Sequence, residues 1–118
     1  MDSRTFLRAL YRAAVSAVEP GRLVSEALSR RGSAVVARSV SDPGRREFVF
    51  VPRRVCLLAA GKAAVPMAPA AHRALGPLVT DALVVAPDGA AEESAPPVGR
   101  FLATAHPVPD ERSVAAGR

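Results

Sequence analysis

Lys62 is the residue whose type and position most clearly indicate chemistry. It is the single lysine among 16 basic residues in a chain of 118, and all the others are arginine. It follows an apolar run at residues 55–59 through a short Ala-Gly link, and a helical pattern begins directly after it. Free backbone N–H groups at the start of a helix attract anions, and lysine adds a mobile point charge suited to phosphate or carboxylate. The turn of Gly61, Lys62 and Ala63 is therefore a candidate anion site. The alternative is an ordinary surface lysine.

Two well-known phosphate-binding loops are absent at this turn. A Walker A loop needs a glycine five positions before Gly61 and a serine or threonine after Lys62, where this chain has Cys56 and Ala63. No G-x-G-x-x-G motif occurs in the sequence either. A dinucleotide-binding site therefore has no motif to support it.

The elements around Lys62 are predicted to form an open α/β sheet. The unbroken apolar run at residues 55–59 is typical of a strand buried on both faces of a parallel sheet. A helix should follow it and end at Gly76-Pro77, and two further strands are predicted at residues 81–86 and 100–105. Open α/β sheets bind ligands at the carboxyl ends of their strands, so Lys62 lies where a ligand is expected.

The preceding and following segments are predicted from periodicity and turn residues. Apolar residues at helical spacing, with Arg4, Arg8 and Arg12 opposite them, indicate an amphipathic helix over residues 3–18. The remaining predictions are a second helix at 20–31, a β-hairpin of 34–40 with 47–51 around a turn at 41–44, a surface loop at 90–99, and a last helix from Asp110.

Composition excludes several classes of protein. The single cysteine, Cys56, rules out an internal disulfide and a cysteine-cluster metal site, and it suits a cytoplasmic location. No apolar stretch is long enough to span a membrane. A net charge of +5 would permit nucleic-acid binding, but only 4% of the residues are aromatic and the arginines are scattered, so no nucleic-acid partner is expected. The arginine-rich start is unlike a secretory signal, and an organelle transit peptide is the alternative to a first domain helix.

Two segments together resemble one family. Residues 57–68, LLAAGKAAVPMA, and residues 105–111, AHPVPDE, are similar to the amino-terminal domain of glycerate 2-kinases of the MOFRL family, some of which are labelled hydroxypyruvate reductases. The resemblance covers nearly the whole chain. It implies transfer of the γ-phosphoryl group of ATP to glycerate, with Mg²⁺, in a cleft between this α/β domain and a smaller carboxyl-terminal domain.

The resemblance also assigns roles to individual residues. Lys62 matches the family's catalytic lysine, which neutralises charge on the phosphoryl group or orients the substrate. Gly61, Ala63 and His106 are then expected to line the substrate site, although His106 could equally be a structural turn residue. No residue is assigned to a metal. Pro69 departs from the family pattern, which usually has alanine in that helix.

The predicted fold class is thus α/β, with amino-terminal helices and a β-hairpin followed by a Rossmann-like, mostly parallel three-layer sheet that is incomplete at its carboxyl end. The chain is expected to be a partial amino-terminal domain of a larger two-domain kinase, comprising a helical pair at 1–32, a hairpin at 33–52 and a β-α-β core at 53–118. Such a fragment is expected to be inactive alone. The rival functions are a hydroxypyruvate reductase and a non-catalytic anion-binding module.

Overall fold

The computed structural model describes residues 2–42, 44, 46–90 and 96–118. This part of the chain contains four α-helices, a three-stranded antiparallel sheet, and a three-stranded parallel sheet with one of the helices on one face. In chain order the elements are α1 (Ser3–Ala17), α2 (Pro20–Ala27), β1 (Leu28–Arg31), β2 (Ala34–Arg38), β3 (Glu47–Phe50), β4 (Val55–Ala60), α3 (Ala64–Leu75), β5 (Val79–Pro87), β6 (Gly99–Thr104) and α4 (Glu111–Ala116). The predicted α/β class is confirmed.

Helix α1 forms as its periodicity predicts, but none of its residues is buried. The side chain of Asp2 caps it by accepting a hydrogen bond of 2.9 Å from the N–H of Thr5. Its apolar stripe, which includes Phe6, Leu7 and Leu10, is at least half exposed. The helix is therefore stabilised locally by its cap and its propensity, and not by packing within the described residues.

Helix α2 is shorter than the sequence predicts. Glu19 caps its start by accepting hydrogen bonds from the N–H groups of Gly21 and Arg22. The helix ends at Ala27, and the segment Leu28–Arg31, predicted as its last turn, is strand β1 instead. Arg30, Arg31 and Gly32 therefore do not close a helix, and Gly32 lies in the turn between β1 and β2 with a φ of 63°. The residues of this segment are compatible with a helix end and with a strand, and pairing with β2 makes the segment a strand.

The predicted hairpin is confirmed and becomes part of a larger antiparallel sheet of order β1-β2-β3. Its register pairs Arg38 with Glu47, and the guanidinium Nε of Arg38 donates a hydrogen bond of 2.7 Å to the Glu47 carboxylate. Val35 and Val36 of the central strand are buried, whereas the β3 side chains are exposed. The predicted turn at 41–44 includes Pro43, which lies outside the described residues.

The parallel sheet has the order β4-β5-β6 and carries α3 on one face. Ala64 and Ala68 of the helix pack against Val84, with Ala59 and Phe101 around them. A second cluster, formed by Val35, Leu75 and Val79, joins this sheet to the antiparallel one. Apolar contact with both sheets therefore fixes the position of α3.

The opposite face of the parallel sheet is open in the described part of the chain. Residues of β4 alternate between half-buried and exposed, and Leu58 is 73% exposed. The prediction that β4 is buried on both faces is therefore wrong for the described residues, in which α3 covers only one face. An apolar run shows that a strand could be buried on both faces. It does not show whether other elements are present to cover both faces.

Helix α3 begins directly after the Lys62 turn and ends at Gly76, as predicted. Pro69 lies inside this helix and does not end it. At its start it meets α2 very closely, since a Cβ added to Gly21 would lie only 2.9 Å from the carbonyl oxygen of Pro66. The absence of a side chain at Gly21 lets the two helices approach, and this contact lies close to the candidate site.

The segment between β5 and β6 was predicted to be a surface loop, and residues 91–95 of it lie outside the described residues. Across the described ranges, no helix has the length and apolar character needed to cross a membrane. The predicted strands at 81–86 and 100–105 are confirmed as β5 and β6, with boundaries shifted by one or two residues.

Candidate functional site

The turn that follows β4 holds three of the predicted site residues. Gly61 has a φ of 96°, a conformation that residues with a Cβ rarely adopt. Its N–H donates a hydrogen bond of 2.8 Å to the carbonyl oxygen of Val85, which ties the turn to the neighbouring strand β5. Space is not limiting at Gly61, because an added Cβ would meet no atom within 4 Å. Backbone conformation is therefore the reason for glycine here.

Lys62 is exposed on this turn, and in the described residues its ammonium group takes part in no ion pair. Its charge is therefore available to an incoming anion. The helix start adds backbone donors. The N–H of Ala64 bonds to the carbonyl oxygen of Gly61 at 3.1 Å, and Pro66 has no N–H. Of the first donors of α3, the N–H groups of Ala63 and Val65 remain without a described backbone acceptor.

His106 lies at the same edge of the sheet, directly beyond the carboxyl end of β6. It is exposed and precedes Pro107 in a cis peptide bond. Because β5 lies between β4 and β6, the loops of Lys62 and His106 are two strand spacings apart, roughly 10 Å. The structure thus brings both residues to one edge without direct contact, and a ligand of several ångströms is needed to touch both.

The loops after β5 and β6 are joined by an ion-pair network that the sequence did not reveal. Arg112 donates two hydrogen bonds, of 2.7 and 2.8 Å, to the two carboxylate oxygens of Asp88, and it also contacts Asp110 at 2.9 Å. The hydrogen bond from Arg112 is the main cause that lowers the pKa of Asp110 below its ordinary value. Asp110 also caps α4. This bidentate geometry anchors the short helix α4 beside the candidate site.

Proximity in sequence could have suggested part of this network. The spacing of Asp110 and Arg112 at a helix start is a recognisable local signal. The contact of Arg112 with Asp88 spans 24 residues, and it depends on the order of the strands. No pattern in a single sequence gives that distance.

A metal ion is not supported by the same residues. Over the described ranges, no cluster of three or more His, Cys, Asp or Glu side chains has the geometry to hold one. Of the described carboxylates near this edge, Asp88 and Asp110 are engaged by Arg112, and Glu111 lies in the first turn of α4. Mg²⁺ is expected to need free carboxylate oxygens. The described residues therefore offer no ready-made cluster for Mg²⁺.

A polar depression of about 530 Å³ lies away from the Lys62 turn, between α2 and β2. Its two arginines are already neutralised, since Arg22 pairs with Glu26 and Arg38 with Glu47. It contains none of the predicted site residues. The depression is therefore a weaker anion site than the Lys62 turn.

Residues 6–118 match the family described as a domain of unknown function, DUF4147. The chain belongs to this family. The DUF4147 domain is the amino-terminal domain of glycerate kinase-like proteins, which agrees with the resemblance at the Gly-Lys turn and the His-Pro segment. Among the curated proteins, none matches the chain.

A solved structure shares the fold of this DUF4147 chain. It is the crystal structure of the PH0495 protein from Pyrococcus horikoshii OT3, which is 28% identical, with a TM-score of 0.73. The match covers 98% of this chain and 24% of that one. This chain therefore spans about a quarter of the length of the PH0495 protein.

Proposed function

We propose that this DUF4147 chain contributes the phosphate-directed part of a glycerate kinase, an enzyme that transfers the γ-phosphoryl group of ATP to a hydroxyl of glycerate. The observation that carries the proposal is the position of Lys62. It is a cation with no ion-pair partner among the described residues, and it lies on a turn at the carboxyl edge of a parallel sheet, where such sheets bind ligands. Membership of a family associated with glycerate kinase-like proteins supports the choice of reaction.

In phosphoryl transfer the protein itself does little covalent chemistry. The glycerate oxygen attacks the γ-phosphorus as the bond to the β-γ bridging oxygen of ATP breaks, ADP leaves, and the hydroxyl proton is released. Catalysis depends on positioning and on stabilising negative charge on the transferred group. In this proposal the Lys62 ammonium stabilises that charge, and the N–H groups of Ala63 and Val65 orient a phosphoryl or carboxylate oxygen. His106, which lies across β5 from Lys62, borders the other end of the bound substrate.

Other parts of the enzyme must come from outside this chain. Mg²⁺ would enter with ATP and would neutralise charge on its phosphates, and the described residues hold no cluster for that ion. The chain alone is therefore expected to bind anions without turnover. The predicted smaller carboxyl-terminal domain would close the cleft and supply the remaining groups.

The test uses a chimera in which residues 1–118 replace the matching part of the PH0495 protein. Purified chimera is assayed for ATP-dependent phosphorylation of glycerate and, separately, for NADH-dependent reduction of hydroxypyruvate. The proposal expects the first activity and its loss with Lys62→Ala. Reduction of hydroxypyruvate without kinase activity would transfer the assignment to a reductase, and Lys62→Ala with full activity would remove Lys62 from the mechanism.

A non-catalytic anion-binding module is the second candidate, because the exposed Lys62 turn could hold an anion without any reaction. Titration of the 118-residue chain with inorganic phosphate and with glycerate, followed by NMR at Gly61 and Ala63, measures that binding. Saturable binding by a chimera that has neither activity would favour this candidate.

A further inference from the structure

We infer that the free edge of β4 is the docking site for one more parallel β-strand, supplied by the part of a longer DUF4147 protein that lies outside these 118 residues. Strand β4 pairs with β5 on one side only within the described residues. The inference concerns an interaction surface, and it holds whether or not the protein is a kinase.

The backbone direction of β4 shows which of its N–H and C=O groups face away from β5. The N–H of Gly61 points to β5, where it bonds to Val85. Because backbone groups alternate in direction along a strand, Leu57 and Ala59 also bond toward β5. The N–H and C=O groups of Cys56, Leu58 and Ala60 then point to the free edge. Among the described residues these groups have no strand partner, and such a row is a template for another strand.

The space beside this edge fits an apolar strand. A groove of about 340 Å³ runs along β4 between α3 and α2, and no residue of β5 or β6 lines it. Its walls include Val24 and Leu28 on one side and Met67 and Ala71 on the other. A strand added to β4 would direct alternate side chains into this groove. The added strand should therefore be apolar on that face.

The other edge of the sheet lacks these properties. Strand β6 carries Arg100, and α4 packs near it, held by Arg112. Strand β4 has no charged residue and no proline, the usual devices that protect an edge from pairing. The β4 edge, uncharged and beside an apolar groove, therefore suits strand pairing better than the β6 edge, which carries Arg100.

The length of the relative identifies the occupant. The match to this chain leaves about three quarters of the PH0495 protein unmatched, which is ample for additional strands and helices. A strand placed beyond β4 would reverse the direction in which the sheet grows, and its carboxyl end would lie beside the Lys62 turn. Open α/β sheets form their ligand crevice at such a reversal. The docked strand would thus supply the second wall of the site.

Amide exchange of the isolated chain provides the first test. If the edge is free, the amides of Leu57 and Ala59 are protected, while those of Cys56, Leu58 and Ala60 exchange quickly at every protein concentration. Protection of the second set that grows with concentration would show that a second copy occupies the edge. That result would overturn the inference.

The second test adds the unmatched part of the PH0495 protein as a separate polypeptide, co-expressed with the chain. We expect a complex in which the amides of Cys56, Leu58 and Ala60 become protected. No complex, or a complex that leaves these three amides unprotected, would contradict the inference.

Three variants show whether backbone pairing is responsible. Leu58→Pro removes an N–H that faces the free edge, so the isolated chain should fold normally but bind the added polypeptide about tenfold or more weakly. Leu58→Ala keeps the N–H and should bind better than the proline variant. Leu57→Pro removes an N–H that faces β5, so it should disrupt the sheet itself. Equal binding by the alanine and proline variants would refute docking through the β4 backbone.

Discussion

The packed face of the parallel sheet and the turn at its carboxyl edge lie next to each other but obey different constraints. Ala59 packs with the cluster of Ala64, Ala68 and Val84, whereas Lys62, only three residues later, is exposed and unpaired in the described part of the chain. One region is fixed by excluded volume, and the other by backbone conformation and charge. Substitutions in the two regions should therefore separate folding from chemistry.

The largest expected effect concerns chemistry alone. In the chimera that carries the missing segments, Lys62→Arg should lower the glycerate kinase kcat about 10²- to 10³-fold, since a planar guanidinium cannot replace a compact ammonium at a tight turn. The Tm should not change, because the side chain is exposed. Steady-state kinetics and a thermal melt of the same sample measure both quantities.

Arg73→Lys, on the exposed side of α3, is the matched control for this substitution and should alter neither quantity. A Lys62→Arg variant with normal turnover would return Lys62 to an ordinary surface residue. A collapsed melt would instead give the residue a structural role, and the contrast between the two regions would disappear.

The packed face should show the opposite behaviour. Val84 is 1% exposed, so Val84→Ala should lower the free energy of unfolding by about 2–3 kcal/mol through lost burial and a cavity. Leu58→Ala removes a larger side chain from the open face of the same sheet and should cost less than about 0.5 kcal/mol. Urea denaturation of both variants provides the comparison. Similar losses would mean that something covers the open face in solution.

Gly61 tests whether the turn has a structural requirement of its own. Gly61→Ala should destabilise the chain by about 1–2 kcal/mol, because its φ of 96° is unfavourable for a residue with a Cβ. Gly117, with a φ of −88°, is the control, and Gly117→Ala should be almost neutral. Denaturation midpoints distinguish the two. No loss in Gly61→Ala would show that the turn relaxes easily to another conformation.

The smallest expected effect is the pH dependence of α4. The pKa of Asp110 is lowered in the folded chain, chiefly by Arg112, so its contribution is present above the unfolded value near 3.8 and is lost as the pH falls through the lower folded pKa. NMR shifts of residues 111–116 should therefore report loosening of α4 only below about pH 4. Asp110→Asn should loosen α4 at neutral pH as well. A transition near pH 6 in the wild-type chain would implicate another group.

The sequence predicted those elements whose signals are local. The apolar run before Lys62 indicated a strand, and Gly76-Pro77 marked the end of α3, because each depends on adjacent residues. The strand Leu28–Arg31 was missed, since an apolar stripe and a glycine fit a helix end as well as a hairpin. Partners in the other strands decide that segment, and they are distant in sequence.

In the candidate site, too, features that depend on adjacent residues were predicted and contacts between distant residues were not. Lys62 and Gly61 were predicted from their place between a strand and a helix, and the structure puts them there. The separation of Lys62 from His106 by a whole strand required the sheet order, which periodicity does not give. Arg112 was missed because its partner Asp88 lies beyond an intervening strand.

Through the contact between Gly21 and Pro66, helix α2 helps to position the candidate site. Any side chain at position 21 would press on the carbonyl of Pro66, two residues into α3, and the helix could yield only by moving its first turn. That turn is continuous with the loop that holds Lys62. The close contact at position 21 therefore fixes where the first turn of α3 lies relative to α2. Among related sequences, we expect any residue larger than glycine there to be accompanied by a change at position 66 or in the loop itself.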